Sequence, residues 1–251
     1  MAKVRFFSTT ALKATHARFG ILAVLAMLSP RAIHAQQHPP VPELLRQFEG
    51  ETMFWSQFEV AKAIVAASDA SVLPRLEPWL THEDRHLRGN AAFIFAGLGD
   101  PRGFEVVVAI LADRSETRAI QEIASLGGPS VHAQIRQDRY YAAHLLGDLK
   151  DPRGVAILVP LLKDPDVSYI VPWSLGQIAD RSAIPPLIVS LGDPNPSMRV
   201  LTIHALVDLN ATEALPRLRQ LLDDNARSNF GKLESVAEAA ETAIAKLQSQ
   251  N

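Results

Sequence analysis

The sequence predicts an all-α fold, an α-solenoid of about five stacked antiparallel helix pairs with a C-terminal capping helix. The main observation is an internal repeat of about thirty residues, with three clear copies between Asp138 and Leu222. Each copy has an apolar segment with helical spacing, a short polar turn and a second apolar segment. Equivalent positions Leu149, Ile178 and Leu209 are 29 and then 31 residues apart. Such a period indicates stacked units that bury their apolar faces only against neighbours.

The composition fits this prediction. Of the 251 residues, 47% are hydrophobic, and the aromatic content of only 6% suits thin helical repeats packed through Ala, Leu, Ile and Val. The chain has no cysteine, which excludes disulfides, thiolate metal sites and thiol nucleophiles.

Residues 1–35 have the pattern of a secretory signal peptide. They contain five basic and no acidic residues, a ten-residue apolar run from Phe19 to Leu28, and a small residue, Ala35, at a plausible cleavage point. Ten apolar residues are too few for a spanning helix, which needs about twenty. We therefore expect cleavage near Ala35 and a periplasmic or secreted protein. An organellar transit peptide is the alternative, because the first twenty residues are basic and contain Ser and Thr.

The expected mature chain is acidic. Removing five of the 25 basic residues leaves 20 against 27 acidic ones, a net charge of about −7. This charge argues against nonspecific nucleic-acid binding. We expect a monomer with no nucleic-acid partner and no stable membrane insertion once the signal is removed.

After the signal, residues 36–52 are a proline-containing leader with a short N-terminal capping helix, and residues 53–248 are the repeat solenoid. The first helix pair is predicted over 53–67 and 72–80, and the second over 86–98 and 104–111.

Two positions are polar in several repeats and are interpreted as structural. We call the residues at one such equivalent position a column. An Asp in the turn within each pair can cap the second helix, and an Arg stands near the start of the first helix. The Asp column is Asp69, Asp100, Asp151 and Asp180, and the Arg column is Arg88, Arg139 and Arg199.

The repeat is interrupted by an insertion at 112–137. Asp100 and Asp151 are 51 residues apart, so about twenty residues are added. The insertion predicts one weak helical turn. A long insertion in a regular array is usually either functional or merely mobile.

Beyond the insertion, an apolar stripe indicates that the next helix begins early, near Ser130. Asp138 would then face inward, and a buried carboxylate needs a cationic partner. Arg118 and Arg136 are the candidates.

Three prolines are predicted to bend helices, because proline removes a backbone donor. Pro78 and Pro160 lie deep in second helices, and Pro172 lies inside a first helix. At the C-terminus, the polar outer face of the helix predicted over 233–248 suits a cap.

The repeats resemble HEAT repeats in their Ala-x-x-Leu-Gly-like helix endings, their turn Asp and the Pro early in the second helix. Residues 97–103 and 146–154 are most similar to the short HEAT-like repeats first named in phycobilisome lyases. The likeness covers about 53–248. It implies a helical solenoid, and most proteins with such repeats are scaffolds or binding modules. A bilin lyase role is the specialised alternative that the resemblance implies.

One segment satisfies a catalytic pattern. His82-Glu-Asp-Arg-His86 matches the H-E-x-x-H zinc-protease motif, which requires both histidines on one face of a helix. The segment aligns with the turn at 193–197, so His82 would lie in a turn and only His86 at a helix start. A zinc-dependent hydrolase using His82, Glu83 and His86 is therefore an alternative function, and we assign no metal ligand.

A column of bulky side chains suggests a binding flank. It contributes one residue per first helix, namely Phe93, His144, Trp173 and His204, and would place Trp173 between two histidines. Trp is a common interface anchor. The same side chains could instead seal the grooves between neighbouring helices. Tyr140 and Tyr169 point farther outward.

The sequence therefore predicts an exported HEAT-like scaffold that binds another protein, with no cofactor, no catalytic residues and no enzymatic activity of its own. Besides the zinc hydrolase, an accessory module for a cofactor or chromophore enzyme remains an alternative. The predicted partner-binding residues are Tyr140, His144, Tyr169, Trp173, His204, Arg118 and Arg136.

Overall fold

The computed structural model describes residues 39–230 and 233–249, which form thirteen α-helices joined by turns and short 3-10 helices, without a β-strand. The predicted signal peptide at 1–35 lies outside the described residues. The helices are α1 Val41–Gly50, α2 Phe54–Ala67, α3 Leu73–Leu76, α4 Arg85–Gly97, α5 Pro101–Ala112, α6 Arg118–Ser125, α7 Val131–Leu149, α8 Arg153–Leu158, α9 Val171–Ile178, α10 Ile184–Ser190, α11 Pro196–Asp208, α12 Leu215–Arg219 and α13 Val236–Ser249.

The helices form five successive pairs: α2 with α3, α4 with α5, α7 with α8, α9 with α10, and α11 with α12. The first helices of neighbouring pairs contact one another in the order α2, α4, α7, α9 and α11. Helix α13 packs against both α11 and α12. The predicted α-solenoid of stacked pairs with a C-terminal capping helix is confirmed. None of the helices in the described part is long and apolar enough to cross a bilayer.

One apolar core runs through the stack, from Leu44 to Leu247. Helix α1 closes its N-terminal side by burying Leu44, Leu45 and Phe48. Because each pair has a neighbour on both sides, a side chain buried between pairs stabilises two repeats at once.

The Asp column caps the second helices as predicted. Each carboxylate accepts a backbone N–H from the residue two positions later, at 2.8 to 3.0 Å. Hydrogen bonds with the neighbouring Ser or Arg side chain hold the pKa of each of these carboxyl groups below its usual value. The four residues are Asp69, Asp100, Asp151 and Asp180.

The prolines have two different effects. Beside Pro78 and Pro160, the α-helix gives way to a 3-10 helix, at Glu77–Thr81 and Val159–Lys163 respectively. The prediction for Pro172 is wrong: α9 begins at Val171, so Pro172 lies in the first turn, where a missing N–H costs little.

The insertion folds more fully than the predicted single turn. Helix α6 has eight residues and buries Ile120. It is tied to α7 by Gln134, whose Nε2 donates to the carbonyl oxygens of Ile120 at 3.0 Å and Pro129 at 2.8 Å. Helix α7 begins early, as predicted, with the Ser130 side chain accepting a hydrogen bond from Ala133 N.

Candidate binding groove along helix α7

Three adjoining cavities lie along α7, and Gln137 lines all of them. Their volumes are about 350, 220 and 320 Å³. We call them the acidic, aromatic and outer cavities, and together the α7 groove. Small-molecule sites typically occupy about 300–1,000 Å³ and combine apolar walls with a few placed polar groups. The α7 groove has both the size and the mixed lining of a binding site.

The acidic cavity forms where the insertion approaches the start of α4. Its insertion wall includes Ile120, Ile123 and Pro129, and its opposite wall carries charged side chains. Those are Glu83, Asp84, Arg85 and His86 from the α4 start and Asp138 from α7. The insertion therefore builds one side of the largest of these cavities.

Arg85 and Asp138 form a buried ion pair at the base of the acidic cavity. Their side chains are 2% and 9% exposed, and Arg85 Nη1 lies 3.0 Å from Asp138 Oδ2. Arg85 also bonds Asp113 Oδ2 through Nε at 2.9 Å and the carbonyl oxygen of Ser115 through Nη2 at 2.8 Å. One guanidinium thus holds two carboxylates and anchors the insertion to α4.

This pairing corrects the prediction that Arg118 or Arg136 neutralises Asp138. Arg136 precedes Asp138 by two residues, so on a helix it points about 200° away from it. Both Arg118 and Arg136 are exposed. The actual partner comes from 53 residues earlier in the chain, a distance over which helical spacing gives no information.

His86 stands between the acidic and aromatic cavities and lines both. Its ring lies 4.4 Å from the Phe54 ring and 5.1 Å from that of Tyr141. Burial lowers the pKa of His86 below its ordinary value, although the charges of Asp138 and Asp84 act in the opposite direction. The imidazole is therefore neutral at neutral pH.

This lowered pKa predicts a pH dependence of stability. An unfolded histidine binds a proton as the pH falls through about 6.5, whereas folded His86 resists protonation. Its contribution to the free energy of unfolding is complete above that pH and declines below it, by at most about 1.4 kcal/mol per pH unit. We expect the His86→Gln variant to show a flatter dependence of Tm on pH between 7 and 6 than the wild type. Parallel Tm curves would contradict the prediction.

The aromatic cavity is built from α2, α4 and α7. Trp55 and Phe54 stand at the start of α2, and Tyr140 and Tyr141 occupy the middle of α7. Tyr141 is buried, and its hydroxyl donates to Asn90 Oδ1. Burial, with a smaller effect from the charges of Asp148 and Glu59, raises the pKa of Tyr141, so the phenol stays neutral.

The outer cavity contains three of the predicted partner-binding residues: Arg136, Tyr140 and Tyr169. The Tyr169 ring lies 5.4 Å from that of Phe230, and its hydroxyl accepts a 2.6 Å hydrogen bond from Asn195. Phe230 is 44% exposed, so an apolar ring faces solvent at this end of the groove.

His144 and Trp173 form an aromatic row beside the groove. Their rings stack at 4.4 Å, and the Trp55 ring meets that of His144 edge-to-face at 5.7 Å. His144 Nδ1 also lies 3.1 Å from Asp148. The row therefore runs from Trp55 through His144 to Trp173.

The remaining predicted residues lie elsewhere. His204 pairs with Glu234 at 2.8 Å in a separate small cavity between α11 and α13. Phe93 is buried against Phe58, and Arg118 is exposed on α6. The groove is also lined by Trp55, Arg85 and His86. The repeat pattern did not identify these residues, because they lie at the ends of helices.

The H-E-x-x-H segment does not have the arrangement that a zinc-binding helix requires. Asp84 caps α4 by accepting hydrogen bonds from His86 N and Leu87 N, so the helix starts at Arg85. His82 lies before it and stacks on Trp79 at 5.2 Å. The two histidines are therefore not on one helical face. Within residues 39–230 and 233–249, no three His, Asp or Glu side chains are grouped as a metal site.

Comparisons with known proteins identify the repeats. A model of HEAT repeats matches residues 164–230, and one of the PBS lyase HEAT-like repeat matches residues 138–164. The phycocyanobilin lyase subunit alpha of Synechococcus elongatus is 36% identical over 97 residues, which cover 34% of this chain and 36% of that protein.

Two solved structures are also similar. Human deoxyhypusine hydroxylase in complex with glycerol is 19% identical, with 83% of this chain and 84% of that chain covered and a TM-score of 0.36. An engineered protein is 20% identical, with 83% and 96% covered and a TM-score of 0.38.

The match to the lyase subunit overturns one prediction. The sequence was expected to encode a protein that is not an enzyme, whereas the matched relative is a subunit of a lyase. The resemblance to HEAT repeats is confirmed by both repeat models. Residues 138–230 of this chain therefore carry HEAT repeats, including one of the phycobilisome-lyase type.

Proposed function

We propose that this chain is an exported HEAT-repeat protein that binds a segment of a partner protein in the α7 groove. The observation that carries the proposal is the groove itself, three adjoining cavities along one helix. HEAT repeats commonly mediate protein interactions. An extended peptide could cross all three cavities, whereas a compact ligand would use only one.

The groove has the residue types that contribute most to binding energy. Trp, Tyr and Arg dominate interface hot spots, and here they are represented by Trp55, Tyr140, Tyr169 and Arg136. Trp55, Tyr140 and Arg136 are carried by helices packed on the core, and Tyr169 lies in the turn directly before α9. Little conformational order of the backbone must therefore be gained on association.

The test is a pair of substitutions in the outer cavity. We expect Arg136→Ala combined with Tyr169→Ala to weaken partner binding by more than about tenfold, because two hot-spot side chains are removed. The measurement is capture of partners from the native compartment, followed by affinity determination with the recovered protein.

Arg219→Ala supplies a control, because Arg219 is exposed on α12 and does not line the α7 groove. It should leave binding unchanged, and circular dichroism should show the same helicity for every variant. Equal recovery by the wild type and the double variant would remove the outer cavity from the interface.

A role beside or within a chromophore lyase is the second candidate, and the similarity to a phycocyanobilin lyase subunit favours it. Phycocyanobilin is an open-chain tetrapyrrole, with pyrrole N–H donors and carboxylate side chains. The rings of the aromatic cavity would pack on its pyrrole rings, and Arg136 would pair with a carboxylate.

Titration with phycocyanobilin distinguishes the two candidates. A stoichiometric change in its visible absorption, reduced in Arg136→Ala, would support the lyase role. An unchanged spectrum at protein concentrations that capture the partner would support the protein-binding role alone.

Export is part of the proposal and rests on the basic, apolar and small-residue pattern of residues 1–35. Mass spectrometry of the protein from its native compartment should give an N-terminus at Gln36. An intact N-terminus on the mature protein, or a cut typical of organellar import, would contradict secretion.

A further inference from the structure

The aromatic cavity has the walls of a cation-binding site, and the inference drawn from it is independent of the proposed protein partner. Its six lining residues are Phe54, Trp55, His86, Gln137, Tyr140 and Tyr141. The Trp55 ring meets that of Tyr141 at 5.1 Å and 87°, and the Phe54 ring meets it at 5.2 Å and 77°. In such edge-to-face contacts one ring covers part of the face of the other, and Tyr141 is only 3% exposed. The ring surfaces open to a ligand are therefore those of the exposed Trp55 and the half-buried Phe54 and Tyr140.

The polar groups of the lining that remain to solvate a ligand are the Gln137 amide and the Tyr140 hydroxyl. The Tyr141 hydroxyl already donates to Asn90, and His86 Nδ1 faces Asp138 at 3.3 Å. A ligand with several N–H donors would leave some of them unpaired, which costs free energy in a desolvated site. A methylated ammonium carries its positive charge without donors.

The surrounding charge is negative. Glu83, Asp84 and Asp138 line the adjoining acidic cavity, and Arg85 is the cation among its lining residues. Two more charged residues lie close by: Asp113, which is hydrogen-bonded to Arg85, and the half-buried Arg88. Together with the lining residues they make four carboxylates and two guanidinium groups.

The other charged residues near the aromatic cavity do not reverse this excess of negative charge. Glu59 and Asp148, which act on Tyr141, are paired with Lys62 and His144 respectively. Arg136 lies in the outer cavity, which Asp166 also lines. A cation in the aromatic cavity therefore has a net negative charge in the adjoining acidic cavity.

From these observations we infer that the aromatic cavity binds an organic cation of the quaternary ammonium class, such as a trimethylammonium group. Ring faces attract a cation through their quadrupole, most strongly for Trp, and aromatic cages recognise quaternary ammonium groups in this way. The volume of about 220 Å³ accommodates such a head group.

The test is calorimetric titration of the full chain with tetramethylammonium and with choline. Trp55→Ala should weaken binding by about tenfold, since one desolvated cation–π contact is removed. Trp55 is 48% exposed, so its removal should not unfold the protein, and circular dichroism verifies this. Trp55→Phe should restore part of the affinity. Trp173→Ala is the control, because Trp173 stacks on His144 outside the cavity.

Two comparison ligands make the inference falsifiable. The neutral isostere 3,3-dimethylbutan-1-ol should bind at least about tenfold more weakly than choline, because it lacks the charge. Equal binding of this alcohol, or equal binding of ammonium ion and tetramethylammonium, would overturn the quaternary ammonium assignment. So would an affinity for choline that Trp55→Ala leaves unchanged. Failure of the wild-type protein to capture any partner, while it still binds choline, would contradict the proposed function and leave this inference standing.

Discussion

Replacing Arg85 with alanine should destabilise the protein by about 3–5 kcal/mol, the usual cost of removing one partner of a buried ion pair. The variant would leave Asp138, whose side chain is 9% exposed, without the guanidinium that now lies 3.0 Å away. For a chain of this size we expect Tm to fall by roughly 10 °C. Thermal unfolding followed by circular dichroism measures the effect.

Arg114→Ala is the matched control. Arg114 also bridges two carboxylates, Asp164 and Asp166, but its side chain is 58% exposed and Arg139 holds the same pair. Exposed ion pairs contribute about 1 kcal/mol or less. Equal loss of stability in Arg85→Ala and Arg114→Ala would show that burial does not govern the Arg85 interaction.

The stability of Arg85→Ala at low pH provides a second check on the role of this ion pair. Burial raises the pKa of Asp138 above its ordinary value, while Arg85 acts to lower it. Without Arg85, protonation of Asp138 removes an unpaired buried charge. The stability difference between the wild type and Arg85→Ala should therefore shrink as the pH is lowered toward the Asp138 pKa.

Gly103→Ala should be strongly destabilising, whereas the same change at Gly154 should be tolerated. Both glycines end an Asp-Pro-Arg-Gly turn. A Cβ at Gly103 would lie 2.2 Å from Ala96 N and 2.3 Å from Ala92 O, both backbone atoms of α4. Relieving this overlap requires α4 and α5 to separate, at the upper end of the range of about 1–3 kcal/mol for overpacking.

At Gly154 the added Cβ would meet only the tip of the Ile178 side chain, at 2.9 Å. A methyl at the end of a flexible chain can move, and alanine is a better helix former than glycine by about 1 kcal/mol. We expect the stability of Gly154→Ala to remain within about 1 kcal/mol of the wild type, measured by urea unfolding. Equal destabilisation of the two variants would contradict the distinction between backbone and side-chain contacts.

Much of the architecture could be predicted because it repeats. The spacing of Leu149, Ile178 and Leu209 identifies the helix pairs, since each pair packs on an equivalent neighbour. The turn Asp residues were assigned to caps because capping needs only a carboxylate next to free backbone N–H groups. The early start of α7 could be predicted from its apolar stripe for the same local reason.

The α7 groove could be predicted only in part. Tyr140, Tyr169 and Arg136 line it, whereas His204 pairs with Glu234 outside it. The partner of His204 comes from the segment after the last repeat, where the periodic alignment gives no register. Trp55 joins the row beside His144 although it stands at the start of a helix in the first pair.

The sequence by itself determined the all-α repeat architecture, the positions of the caps and the inward orientation of Asp138. The tertiary structure decided which cation neutralises Asp138, how the insertion forms a cavity, and which aromatic rings meet. The physical reason is distance along the chain. Periodicity and capping act over a few residues, whereas the Arg85–Asp138 pair and the aromatic cavity join helices separated by more than fifty residues.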